Sequence, residues 1–75
     1  MTSELKKIYE NIHSCMDTVK KLKNENYHEL YHNNDIRYID EIYRSLCISA
    51  ATVNTFMDCL ENRNKFIKMD SENES

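Results

Sequence analysis

Residues 39–60 read IDEIYRSLCISAATVNTFMDCL, and the spacing of their apolar side chains decides the fold. Ile39, Ile42, Leu46, Val53, Phe56 and Leu60 recur three, four or seven places apart, with Ser49 filling the gap between Leu46 and Val53. That period marks one side of an α-helix and fits no strand. Counted from Ile39, one heptad line holds Ile39, Leu46, Val53 and Leu60. Ile42, Ser49 and Phe56 form the second line, and Tyr43, Ala50 and Met57 flank it. Three apolar positions in seven make a face wide enough to touch more than one neighbouring helix. Ser49 and the Ala50-Ala51 pair are small, so another backbone can approach closely there. The helix is predicted from about residue 36 to 67, some 48 Å at 1.5 Å per residue.

Towards the N-terminus a second stripe appears. Leu5, Ile8, Ile12, Cys15, Val19 and Leu22 alternate at three and four, with Met16 widening the line. Glu4 near its start and Lys20, Lys21 and Lys23 near its end match the helix dipole. Thr2 or Ser3 is the expected N-cap, and the helix is predicted over about 3–23. Asn24-Glu25-Asn26 weakens it, and the stripe slips to Tyr27, Leu30 and Tyr31, so residues 24–32 read as a kink or a short helix. Asn33-Asn34-Asp35 is the turn, since Asn tolerates left-handed geometry and can cap the helix that follows.

The 75 residues contain no glycine and no proline. Sheet proteins need such residues at their tight turns, so the composition independently favours an all-α chain with few connections. The expected architecture is an antiparallel helical hairpin over residues 1–68, followed by an acidic, disordered tail at 69–75. So short a chain seldom builds a sufficient core alone. The wide face therefore predicts self-association, most simply a four-helix dimer or a larger helical bundle. A helical partner protein would bury the same face.

The net charge is −3. Residues 1–24 carry +2 and residues 25–75 carry −5, with no basic face, which makes the chain a poor binder of nucleic acid. No apolar run is long enough to span a membrane. The opening Met1-Thr2-Ser3-Glu4 lacks the basic and apolar regions of a signal peptide, so the chain reads as cytoplasmic or otherwise intracellular. Cys15, Cys47 and Cys59 are odd in number, which argues for reduced thiols packed as small hydrophobes. A Cys15–Cys47 or intermolecular bridge is the alternative. Asn, Lys, Ile and Tyr supply 28 of the 75 residues. Their codons are A+T-rich, which suits a phage, a virus or a low-GC bacterium.

One short string carries recognisable chemistry. His28-Glu29-Leu30-Tyr31-His32 matches H-E-x-x-H, in which two imidazoles one helical turn apart can share a zinc ion and the glutamate can polarise a bound water. Over these five residues the chain resembles the zincin metalloproteases, and the resemblance implies His28 and His32 as zinc ligands with Glu29 as the base. The flanking Asn26, Tyr27, Asn33 and Asn34 are polar where a zincin helix is apolar. Asp35, Asp40 and Glu41 are the only conceivable third ligands, and none is clearly placed. A polar connecting segment without cofactor is the favoured reading, with zinc at His28 and His32 the alternative.

Arg37, Tyr38, Tyr43 and Arg44 gather near the start of the second long helix, and guanidinium with phenol suits a phosphate or an aromatic base. The same residue types are enriched at protein interfaces. The sequence thus favours a non-enzymatic interaction module: an adaptor, inhibitor or assembly subunit. Its expected contact residues are Leu5, Ile8, Ile12, Val19, Ile39, Ile42, Leu46, Val53, Phe56 and Leu60. An oligomer binding a nucleotide or other small molecule through Arg37, Tyr38, Tyr43 and Arg44 is the alternative.

Overall fold

In the computed structural model the described chain consists of three helices: α1 spans Thr2–Glu25, α2 Tyr27–His32 and α3 Ile36–Glu74. The structure describes residues 1–63 together with their side chains, and of 64–74 only the helical backbone. The expected end of the second long helix near 67 and the acidic tail at 69–75 lie outside the fully described residues. Among the described residues there is no strand.

The α1 helix opens one residue earlier than the sequence suggests. Met1 is its N-cap, with no side-chain cap, and the terminal ammonium pairs with Glu4 at 2.9 Å. Thr2 and Ser3 sit inside the first turn instead of capping it. At the other end Asn26 interrupts the helix at φ −121° and ψ 23°. Its side-chain Nδ2 donates to the Leu22 carbonyl at 2.9 Å, alongside its own backbone N–H at 3.1 Å. A side chain that competes for a helix carbonyl in this way loosens the turn it sits in. The chain then restarts as the six-residue α2, whose Tyr27 and Tyr31 stack at 5.8 Å one turn apart.

The turn into α3 is made by asparagine. Asn34 has φ 60°, the one positive φ among the described residues. Its N–H donates to the Tyr31 carbonyl at 3.2 Å, and the Asp35 N–H donates to the Leu30 carbonyl at 2.8 Å. This pair of bonds is the Schellman closure, with asparagine where glycine is commonest. Asn34 thus ends α2 and does not cap α3.

The hairpin is closed by α1 packing along α3. Lys23 reaches Asp40 at 2.8 Å and Lys20 lies over the Tyr43 ring. Near the other end Thr2 and Lys6 border the same groove as Met57, Asp58 and Glu61. These contacts fix an antiparallel register. The seam consists of Leu5, Tyr9, Ile12, Met16, Val19 and Lys23 on α1 against Ile36, Ile39, Tyr43, Leu46, Ala50, Val53, Met57 and Leu60 on α3, all buried or half-buried. Both sets alternate strictly by three and four. Only Leu5 and Ala50 fall to 8% and 6% exposure, so the seam is a single row of contacts and encloses little.

Candidate functional site: an apolar face of the hairpin

The seam divides each sequence stripe in two. The lines through Leu5, Ile12 and Val19 and through Ile39, Leu46, Val53 and Leu60 turn inward. The companion lines, Ile8-Cys15-Leu22 and Ile42-Ser49-Phe56, stay exposed. Their inner places go to Tyr9-Met16-Lys23 and Tyr43-Ala50-Met57. In both helices the exposed line precedes its seam neighbour by one residue. Because α3 runs opposite to α1 and also turns to face it, the two reversals cancel, and both lines emerge on the same side of the hairpin.

The antiparallel register sets these residues in rungs. With Lys23 level with Asp40 and Lys20 with Tyr43, Ile8 stands level with Phe56, Cys15 with Ser49, and Leu22 with Ile42. The outer rungs carry large side chains, at 45% exposure for Ile8, 42% for Phe56, 41% for Leu22 and 49% for Ile42. The middle rung is small. Tyr38 extends the face at the α2 end and is also exposed. Asn11, Thr18, Ser45 and Thr52 border its middle, and Glu4, Glu25 and Glu41 border its ends.

The opposite side of the hairpin is polar. Lys20, Lys23, Asn24, Asp40 and Tyr43 line a shallow groove beside the seam. Lys20 sits 5.5 Å from the Tyr43 ring centre. Hydrogen-bonding and Coulombic attraction to the Tyr43 phenol push the Lys20 ammonium above its ordinary value, and Asp17 adds to the effect. At the chain start the terminal ammonium, through its hydrogen bond and its charge, holds the Glu4 carboxyl below the usual range.

The structure distributes the other sequence candidates as follows. Arg37 and Tyr38 pair, with Nη2 donating to the phenol oxygen at 3.1 Å and the guanidinium 4.9 Å from the ring centre. Tyr43 lies across the helix on the polar side with Lys20, and Arg44 is exposed on the back of α3, so the four residues do not converge on one pocket. His28, Glu29 and His32 are exposed on α2 together with Tyr27 and Tyr31. Among the described residues no three His, Cys, Asp or Glu side chains group closely enough to hold a metal ion. Cys15 and Cys59 are exposed and Cys47 is half-buried, all three unpaired. The thiols are less buried than their composition suggests, because none lies on the seam.

Two features escaped the stripe reading. Tyr38 belongs to the apolar face, and Ile48 is exposed on the far side of α3. The available signal was charge: Ser45 to Met57 contains no Asp, Glu, Lys, Arg or His on any side of the helix, whereas a helix with one wet side usually charges that side. No helix among the described residues is long and apolar enough to cross a membrane. No protein-family model, curated protein or solved structure matches this chain.

Proposed function

We propose that this protein is a non-enzymatic helical interaction module, an adaptor, inhibitor or assembly subunit that works by docking the apolar face of its hairpin. The observation that carries the reading is the gathering of Ile8, Leu22, Tyr38, Ile42 and Phe56, all more than 40% exposed, on one side of two helices. Scattered surface hydrophobes need no explanation, but a contiguous patch of this kind marks an interaction site. The A+T-rich residue usage suits a regulator from a phage, a virus or a low-GC bacterium.

The test uses positions that the hairpin itself does not bury. Ile42→Asp and Phe56→Asp place a charge on the face while leaving the seam intact. Helical circular dichroism is expected to persist, while association, with itself by native mass spectrometry or with a cellular protein by pull-down, is lost. Association that survives both substitutions overturns the reading. Leu46→Asp is less discriminating, because Leu46 also packs in the seam.

A further inference from the structure

We infer that the apolar face is covered by a second copy of the hairpin, turned about a twofold axis that crosses the helices at right angles through the Cys15–Ser49 rung. The inference rests on the interaction-module reading and specifies its partner. Three observations lead to it.

The first is the order of the rungs. Large, small, large is a sequence that reads the same in both directions. The twofold lays Ile8 and Phe56 of one copy against Leu22 and Ile42 of the other, and sets the small rung on itself. Two backbones can then approach at the centre while four large side chains fill each layer above and below. Helix α1 lies along its own counterpart, as does α3, and the result is a four-helix bundle with all neighbours antiparallel.

The second is charge. With this axis Arg63 falls level with the partner's Asp35, twice by symmetry, while Glu4 and Lys7 both fall beside the partner's Glu25 and offset one another in charge. Tyr38 falls level with the partner's Leu60. Opposite charges at a rim guide register.

The third is size. From the level of Glu4 to that of Asn26 the face runs about 33 Å. Two helices wide, it has a plan of roughly 650 Å², close to the ~800 Å² per partner of a standard interface. An unrelated partner has no reason to match the reading order of the rungs, whereas a second copy matches it by construction.

The axis places Cys15 opposite Cys15 of the other copy, which supplies the test. The full chain is prepared with Cys15 as its sole cysteine (Cys47→Ser, Cys59→Ser), with Cys59 as its sole cysteine (Cys15→Ser, Cys47→Ser), and with Ser49→Cys after all three native cysteines are changed to serine. Each is treated with a short bis-maleimide, and untreated samples go to native mass spectrometry. The expected result is a dimer in the spectrum. In a held pair the thiols meet at an effective concentration of millimolar or more, so Cys15 is expected to cross-link on the order of 10²-fold faster than Cys59 at micromolar protein. The Ser49→Cys chain is expected to do the same, and it keeps the test valid if the Cys15-only chain folds poorly. A dimer in which neither position outpaces Cys59 overturns this axis. A monomer at every concentration overturns the second copy as occupant. Both outcomes are distinct from failure of the interaction reading, which is decided by Ile42→Asp and Phe56→Asp against any partner.

Discussion

Asn34 is the single residue on which the connection between α2 and α3 turns. With φ at 60° it occupies a region that costs a residue with Cβ roughly 1–2 kcal/mol and that asparagine and glycine tolerate best. Asn34→Ala is therefore expected to cost about 1 kcal/mol in urea denaturation, whereas Asn34→Gly should stay within ~0.5 kcal/mol of the parent. An alanine variant as stable as the parent would show that the Schellman closure does not hold the turn. Lys20 offers a smaller effect with a definite sign. Its pKa is raised above 10.5 by Tyr43, so whatever it adds to stability is present below that pH and is lost as pH climbs through the raised value. The group is exposed, so the effect is small; the Lys23–Asp40 pair is solvent-facing as well and contributes as surface pairs do, of order 0–1 kcal/mol.

At the scale of helices, the packing of α1 on α3 depends on a few tight places. Ala50 is 6% exposed in the seam, at the level of Ser14. A larger side chain there has to push the helices apart. Ala50→Leu is expected to destabilise the hairpin by about 1–3 kcal/mol, measured as a lowered urea midpoint with helicity kept in the native baseline. Leu5→Ala, at the one other buried position, is expected to cost about 2 kcal/mol, the low end for a buried leucine. The existence of both helices was legible in the sequence because three-and-four spacing has only one structural meaning over such lengths. The turn was legible because three polar residues, two of them asparagine, interrupt it. Which stripe lines meet inside the hairpin was not legible. Ile8 and Tyr9, or Ile42 and Tyr43, serve a helix seam almost equally well by pattern. The choice shows only in how α1 and α3 pack along each other. The same ambiguity blurred the apolar face: Ile8, Ile42 and Phe56 were named as contact residues together with Leu5, Ile12, Val19, Ile39, Leu46, Val53 and Leu60, which the hairpin itself uses.

The whole molecule exposes more surface than a finished domain of its mass. A compact 9.0 kDa monomer follows a scaling that gives about 4,900 Å², against the 6269 Å² measured on this chain. The difference, roughly 1,400 Å², is shared between α3, which at 39 residues outruns the 24 of α1, and the face carrying Ile8, Leu22, Ile42 and Phe56. With no side chain fully enclosed among the described residues, the hairpin has few buried contacts to set against the entropy of ordering its chain. With a second copy covering the face as proposed, folding couples to concentration. For a dimer of this length a tenfold rise in concentration adds about 1.4 kcal/mol and raises the melting temperature by roughly 4 °C. Thermal melts over two decades of concentration are expected to show that climb for the parent chain. The Ile42→Asp chain is expected to melt lower and at a constant temperature, because only the monomeric hairpin is left to unfold. A parent melting temperature that does not move with concentration would mean that the single row of seam contacts suffices, and that the surplus surface serves a partner other than itself.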